Sequence, residues 1–245
     1  MNDSFSNVYD DKQRADAYSK LEFPGTYYLA FRDLPEIIGK QATGSSALDF
    51  GCGTGRSTRF LRNLGFETVG VDISAEMVAR ARELDDQGEY LVIGEGDLEI
   101  LETRMFDVVL SAFTFDNIPS REQKTKCLQS LHQVLKDDGC IINLVSSPEI
   151  YIHEWASFST KDFPENQLAA SGDTVQIIML DVDDRRPVED VLWTDQAYRE
   201  VFDIAGLKPV ATCRPLGKES EPFDWVNETN IAPWTIYVLK RTTAG

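Results

Sequence analysis

Apolar residues along the 245-residue chain fall into short runs that alternate with amphipathic stretches. The short runs predict strands over 46–50, 68–71, 90–93, 106–110 and 140–145. Between them, apolar residues recur at helical spacing, as Met77, Val78, Ala81 and Leu84 do after a possible helix start at Ser74. Strands separated by helices predict right-handed βαβ units and therefore a parallel sheet covered on both faces.

One helix, between the fourth and fifth predicted strands, carries signals at both of its ends. Ser120 and Gln123 match a capping box, and Gly139 is the predicted end of the helix. Its buried stripe is predicted to be Cys127, Leu128, Leu131, Val134 and Leu135.

Two segments depart from this alternation. Residues 1–40 are rich in aromatic side chains and predict a helical cap. Within 148–193, the stretches 175–182 and 188–193 predict a β-hairpin. Helical spacing then resumes at Thr194 and ends at Gly206, and a last strand is predicted over 233–240.

Length and charge limit the kind of protein. A chain of this length suits one α/β domain. Its net charge of −17 disfavours nucleic acid and anionic membrane surfaces as partners, and no apolar run approaches a membrane span. The four cysteines are far apart, without a metal-ligand pattern, so we expect reduced thiols and no metal site. We therefore expect a soluble cytoplasmic protein that acts on a small molecule.

A cluster of three glycines, Gly51, Gly53 and Gly55, follows the first predicted strand. A dinucleotide-binding loop has the spacing G-x-G-x-x-G, and its third glycine would fall on Arg56 or Thr58 here. The spacing is instead G-x-G-x-G, which weakens the interpretation as a nicotinamide-dependent oxidoreductase.

The stretch Asp-Phe-Gly-Cys-Gly-Thr-Gly at 49–55 resembles the first motif of the class I S-adenosylmethionine-dependent methyltransferases of the small-molecule type. Asp72 ends the second predicted strand and Asp97 follows the third, as acids do in that family. The stretch 106–111 resembles the family's fourth strand. The stretch 135–139, Leu-Lys-Asp-Asp-Gly, is similar to its turn before the fifth strand, although two aspartates replace the usual Pro-Gly. The resemblance covers roughly 46–146 well and the last helix and strand loosely.

This resemblance implies a fold and a division of the chain. The fold class is α/β, a Rossmann-like, doubly wound and mostly parallel seven-stranded sheet whose last strand is antiparallel. We expect a single domain that carries an N-terminal helical cap and a hairpin-containing insertion after strand 5. Its parts are the cap (1–40), the cofactor-binding core (41–147), the lid or acceptor insertion (148–193) and the C-terminal helix and strands (194–245).

The resemblance also implies S-adenosyl-L-methionine as cofactor, with S-adenosyl-L-homocysteine as product. Asp49 is expected near the cofactor's amino group, Asp72 at the ribose hydroxyls and Asp97 at the adenine. Glycines in the loop let the main chain approach the ligand without a clash of Cβ atoms. The full set of expected cofactor-binding residues is Asp49, Gly51, Cys52, Gly53, Gly55, Asp72, Ile73, Met77, Gly96, Asp97, Leu98, Ser111, Ala112 and Phe113.

The acceptor side is less well specified. His153 follows the fifth predicted strand and is a candidate general base, although a histidine in a structural hydrogen bond is the commoner case. Aromatic residues of the cap and the insertion could stack on a planar or cationic acceptor, or they could pack in the core. These candidates are Tyr18, Tyr27, Tyr28, Trp155, Phe158 and Trp193.

Three function classes remain open at this point. The first is methyl transfer to an O or N atom of a small molecule, with S and C acceptors also possible. The second is a cofactor-binding sensor or scaffold without transfer activity, and the third is a nicotinamide-dependent oxidoreductase. The insertion and the aromatic cap favour an enzyme with an acceptor pocket, acting as a monomer or homodimer. The sequence does not identify the acceptor.

Overall fold

A computed structural model describes residues 24–101 and 103–242 of the chain. Its strands are β1 Ser46–Phe50, β2 Glu67–Asp72, β3 Glu89–Val92, β4 Phe106–Ala112, β5 Leu135–Ser146, β6 Phe158–Ser159, β7 Thr174–Met179, β8 Val188–Val191, β9 Leu207–Cys213 and β10 Trp234–Arg241. Its helices are α1 Gly25–Arg32, α2 Leu34–Gln41, α3 Arg56–Asn63, α4 Ala75–Leu84, α5 Arg121–Val134 and α6 Asp195–Ile204.

Seven of the strands form the main sheet, in the order β3-β2-β1-β4-β5-β10-β9. The first five strands are parallel to one another, whereas β10 runs antiparallel to both β5 and β9. The predicted mostly parallel, seven-stranded sheet with an antiparallel last strand is therefore confirmed. Strand β9 had no predicted bounds, and it is an edge strand that contains Pro209, where a missing amide donor is tolerated.

The sheet is covered on both faces by apolar layers. Alternate residues of β4 point to opposite faces, so Val108 and Leu110 pack in one layer and Val109 in the other. The first layer includes residues of α1 and α2 together with the insertion, and the second includes residues of α5 and α6. Where the cap is described, it therefore shares one continuous core with the insertion.

The predicted helix starts are present as side-chain caps. Ser74 Oγ accepts a hydrogen bond from the Met77 amide at 3.3 Å, and Ser120 Oγ accepts one from the Gln123 amide at 3.2 Å. Thr194 caps α6 in the same way. These side-chain oxygens satisfy amide donors that have no partner within the helix.

The end of α5 differs from the prediction. The helix stops at Val134, and Leu135 is already extended, pairing with Phe106 as the first residue of β5. Leu135 is buried, but as a strand residue. Gly139 lies inside β5, where an added Cβ would stand 3.0 Å from the Phe106 carbonyl oxygen, so its role is a close approach of two strands and not a helix stop.

The insertion forms a second, three-stranded sheet in the order β6-β7-β8. Strands β7 and β8 make the predicted hairpin, with Thr174 opposite Val191. One buried carboxylate, that of Glu228, joins this part to the cap: it accepts hydrogen bonds from Thr26 Oγ1 at 2.7 Å and from the Ala156 amide at 2.8 Å. The Glu228 side chain, in the loop before β10, therefore connects the cap and the insertion.

Within the two described ranges, none of the helices has the length and apolar character needed to cross a membrane.

Candidate functional site

A cleft of about 240 Å³ opens at the carboxyl ends of β1, β2 and β4. This is the edge at which open α/β sheets bind their ligands. Eight of the expected cofactor-binding residues line the cleft: Gly51, Gly53, Asp72, Ile73, Met77, Gly96, Ala112 and Phe113.

Asp72 is held at the cleft by the turns on either side of it. Its Oδ2 accepts a hydrogen bond from the Gly53 amide at 2.8 Å, and its Oδ1 accepts one from the Ser74 amide at 2.9 Å. Each carboxylate oxygen has two lone pairs. The side chain is therefore oriented by the protein and has the chemistry to accept hydrogen bonds from a ligand diol.

The amides of the glycine loop are largely engaged within the protein. Those of Gly51 and Cys52 both donate to the Val71 carbonyl, and that of Gly53 donates to Asp72. A phosphate-binding loop instead points its amides at an anion. The loop thus fits a ligand that needs close backbone approach, and it does not form a phosphate cradle.

Each glycine of this loop has a different structural environment. Gly53 has a φ of +52°, and an added Cβ would meet no atom within 4 Å, so it would project into open space. A Cβ on Gly51 would instead collide with Thr114, and one on Gly55 would collide with the ring of Tyr90. Gly55 is not among the lining residues and is required by packing.

Asp49 lies beneath the loop, outside the cleft wall. Its Oδ2 accepts hydrogen bonds from Ser57 Oγ at 2.7 Å and Thr58 Oγ1 at 2.6 Å. Its Oδ1 is buried and has no hydrogen-bond partner among the described residues. Burial raises the pKa of this carboxyl to about 6. The predicted contact with the cofactor's amino group remains a prediction, to which the unpartnered oxygen is suited.

Four other expected cofactor residues do not line the cleft. Cys52 packs with Val78, Ala81 and Tyr90, and burial raises the pKa of its thiol, so it is no nucleophile. The remaining three are Leu98, which is in the core; Ser111, which is fully buried; and Asp97, whose exposed carboxylate accepts a hydrogen bond from the Glu99 amide. The cleft geometry gives the predicted adenine contact of Asp97 no support.

Several lining residues were missed from the sequence: Phe50, Ile93, Glu95, Thr114, Asn117, Ile118, Pro119, Gln123, Lys126 and Cys127. Three of them, Gln123, Lys126 and Cys127, lie on one face of α5 at helical spacing, which is a signal the sequence does carry. The side chain of Gln123 donates to Glu95 at 3.4 Å, across the cleft mouth, instead of completing a capping box.

A second, smaller cavity of about 40 Å³ adjoins the cleft. Phe113 and Asn117 line both spaces, so these two side chains form the boundary between them. Phe113 has a φ of +64°, the only positive value for a non-glycine residue in the described part of the chain. Such backbone strain, of about 1–3 kcal/mol, is often found where a functional site fixes a side chain.

The predicted substrate-binding aromatic residues divide into two groups. Tyr27 and Phe158 line the small cavity. Trp155 donates its indole N–H to the Ile150 carbonyl in the core, and the ring of Tyr28 packs on Phe223. The other two are Trp193, which packs against Lys124 and lines neither space, and Tyr18, which lies outside the described residues.

His153 lines neither the cleft nor the small cavity. Its Nε2 lies 3.1 Å from Glu149 Oε2 at the surface. The structural alternative for this histidine therefore agrees with the geometry, and the role as a base does not. No group of three or more His, Cys, Asp or Glu side chains in residues 24–101 and 103–242 is placed to hold a metal ion.

The fold is shared with known proteins. The strand order and the single antiparallel strand show a Rossmann-like fold, the fold of solved S-adenosylmethionine-dependent methyltransferases. Residues 48–143 match the family described as "Methyltransferase domain". The match covers about two fifths of the chain, and in these residues the chain is similar to that family.

Individual relatives agree with this assignment. A malonyl-[acyl-carrier protein] O-methyltransferase of Pectobacterium atrosepticum is 46% identical over 81 residues, which cover 30% of this chain and 31% of that protein. The match thus spans about a third of that relative's length. An uncharacterized methyltransferase of Alkaliphilus oremlandii is 25% identical over 68% of this chain and 76% of its own.

Among solved structures, the CcbJ methyltransferase from Streptomyces caelestis has a TM-score of 0.68 at 18% identity, over 98% of this chain and 100% of that chain. An S-adenosylmethionine-dependent methyltransferase from Clostridium acetobutylicum has a TM-score of 0.63 at 16% identity, over 96% and 97%. At this identity the likeness establishes the fold.

Proposed function

We propose that the protein transfers a methyl group from S-adenosyl-L-methionine to an O or N atom of a small molecule. The observation that carries this proposal is the pair of adjoining cavities, which meet at Phe113 and Asn117. The larger one offers a carboxylate at Asp72, and the smaller one offers aromatic and polar walls. A protein that only binds the cofactor needs no second cavity.

The larger cleft suits the cofactor chemically. Its apolar walls, which include Ile73, Met77 and Ile93, can hold the adenine, and Asp72 can accept hydrogen bonds from the ribose diol. The proposed cofactor carries no phosphate. The amides of Gly51, Cys52 and Gly53 donate within the protein, so they do not point at an anion as those of a dinucleotide site do. This argues against a nicotinamide-dependent oxidoreductase.

When bound, the cofactor supplies a methyl group on a positively charged sulfur, which is activated for in-line displacement. The chain's own task is then alignment and exclusion of water. The backbone at Phe113 fixes the boundary between donor and acceptor, and α1 and the insertion close the acceptor side through Tyr27 and Phe158.

The proposal includes the setting of the reaction. A net charge of −17 supports a small-molecule acceptor over nucleic acid or an anionic membrane surface. All four cysteines are free, which supports a reducing compartment, and we propose the cytoplasm. A monomer or a homodimer is consistent with a site lined by one chain.

A labelled-methyl assay tests the proposed function. Purified protein is incubated with S-adenosylmethionine that carries a labelled methyl group and with a panel of small amines, alcohols, thiols and carbon acids. We expect label on an amine or an alcohol. Cofactor binding without transfer to any member would favour the sensor or scaffold class.

A further inference from the structure

We propose that the small cavity holds the acceptor by a protonated amino group, which lies between the carboxylates of Asp116 and Asp190, and that this carboxyl pair takes the proton that the amine must lose. The inference rests on the proposed function and deepens it, because it selects nitrogen as the acceptor atom.

The two carboxylates reach the cavity from separate elements. Asp116 belongs to the 3₁₀ turn Thr114–Asn117 that follows β4, and both of its oxygens accept the Ser146 amide, at 3.2 and 3.0 Å. Asp190 belongs to β8 of the insertion, and its Oδ2 accepts the Tyr151 hydroxyl at 3.1 Å. Both side chains line the cavity.

The rest of the wall is made of aromatic rings. Tyr27, Phe113, Phe158 and Trp234 line the same space, and the centroids of contacting pairs are 4.7 to 5.7 Å apart. Aromatic faces attract cations through their quadrupoles, and this includes methylated ammonium groups. Rings and carboxylates together form the chemical surroundings that recognise a cation before and after methylation.

Among residues 24–101 and 103–242, the ionisable groups around the cavity include more acids than bases. Among the described residues, the one cation near both carboxylates is Lys124, which is fully buried on α5 and donates to the Phe115 carbonyl. Its Nζ lies 4.9 Å from the centroid of the Trp193 ring, and in the described part of the chain it has no carboxylate oxygen within 4 Å. If all three of these described groups are ionised, two carboxylates and one ammonium leave one negative charge without a partner.

Burial disfavours these charges. Burial raises the pKa of both Asp116 and Asp190, and burial lowers the pKa of Lys124. The other titratable groups that face the carboxylates in the described part of the chain are the phenols of Tyr151 and Tyr198, and burial raises the pKa of each. A cation in the cavity would supply the missing positive charge and favour the ionised carboxylates.

The chemical step balances as follows. The acceptor enters as an ammonium ion and gives one N–H proton to a carboxylate, which becomes a carboxylic acid. The nitrogen lone pair then forms the N–C bond while the C–S bond breaks, and that electron pair stays on sulfur as its positive charge disappears. The product leaves as a methylated ammonium ion, and the carboxylic acid returns its proton to solvent.

Calorimetry with simple probes tests this inference. The protein is saturated with S-adenosylhomocysteine and titrated with benzylamine, methylamine and benzyl alcohol at pH 7.5. We expect at least one amine to bind at least about tenfold more tightly than the alcohol, because of the buried negative charge. We expect Asp116→Asn and Asp190→Asn each to weaken the binding of that amine by at least about tenfold.

The matched control is Glu189→Gln, which changes the next residue of β8, where the side chain is exposed and pairs with Gln176. It should bind the amine like the wild type. Retained binding of S-adenosylhomocysteine shows that each variant is folded, and the comparison of amine with alcohol in the wild type needs no variant at all.

Three other results would contradict either the inference or the proposed function. If the wild type binds S-adenosylhomocysteine but neither amine binds more tightly than the alcohol, the inference is overturned and the proposed function stands. If folded Asp116→Asn and Asp190→Asn proteins bind the amine unchanged, the inference is likewise overturned. If the wild type does not bind S-adenosylhomocysteine, the proposed function itself fails.

Discussion

Gly53→Ala is expected to separate the stability of the glycine loop from its ability to bind a ligand. Gly53 has a φ of +52° and Gly65, at the end of α3, has a φ of +93°, and at neither position would an added Cβ meet an atom within 4 Å. Both alanine variants therefore incur only the cost of a left-handed backbone, about 1–2 kcal/mol of unfolding free energy. Gly65→Ala is the matched control, because it carries the same strain away from the cleft.

The two variants should differ in affinity. Gly53 lines the cleft, and its amide donates to Asp72, so a methyl group there stands beside the expected ribose position. We expect S-adenosylhomocysteine to bind Gly53→Ala at least about tenfold more weakly, or about 1.4 kcal/mol. Gly65→Ala should bind like the wild type.

Urea unfolding measures the stability of the two variants, and calorimetry measures their affinity. If Gly53→Ala loses about as much stability as Gly65→Ala yet binds S-adenosylhomocysteine as the wild type does, the space beside Gly53 is not occupied by the cofactor. The assignment of the cleft would then be wrong.

Four further predictions test other parts of the structure. Asp72→Ala should weaken the binding of S-adenosylhomocysteine by at least about 1.5 kcal/mol, because charge-assisted hydrogen bonds are lost, and an unchanged calorimetric affinity would refute this. Glu228→Ala should lower the unfolding free energy by about 3 kcal/mol or more, because it leaves buried donors of the cap and the insertion without an acceptor. A loss below about 1 kcal/mol in urea unfolding would contradict this structural role of Glu228. Because the pKa of Asp49 is raised, its contribution to the unfolding free energy should fall as pH rises from the ordinary carboxyl value of 3.8 to about 6. In urea unfolding, the difference in stability between the wild type and Asp49→Asn should therefore shift in favour of Asp49→Asn over that range, and a difference that does not change with pH would contradict this. His153→Ala should leave the methyl-transfer rate unchanged across pH, since His153 lines neither cavity, and a lost basic limb in the pH profile would restore it as a base.

The glycine loop and the helix caps were accessible from the sequence because their signals are local. The glycine loop, Asp72 and the three caps each depend on residues within a few positions of one another, and the structure has them where the pattern predicts. Where a local signal was ambiguous, as at Gly139, packing between β4 and β5 decided the outcome.

The proposed acceptor cavity depends on contacts between distant segments. Asp116 and Asp190 meet only because β8 of the insertion packs against the turn after β4, and neither residue stands in a motif. His153 was a candidate base because of its residue type and its position after strand 5. Its ring faces Glu149 at the surface, which no periodicity could have indicated.

The most direct check on the methyltransferase assignment is calorimetric titration of the purified protein with S-adenosylmethionine, S-adenosylhomocysteine and NADPH in parallel. The cleft chemistry at Asp72 and the engaged amides of the glycine loop predict that the first two bind and that NADPH does not. Binding of NADPH alone would show that the cleft holds a dinucleotide, and the methyltransferase assignment of the site would then be wrong.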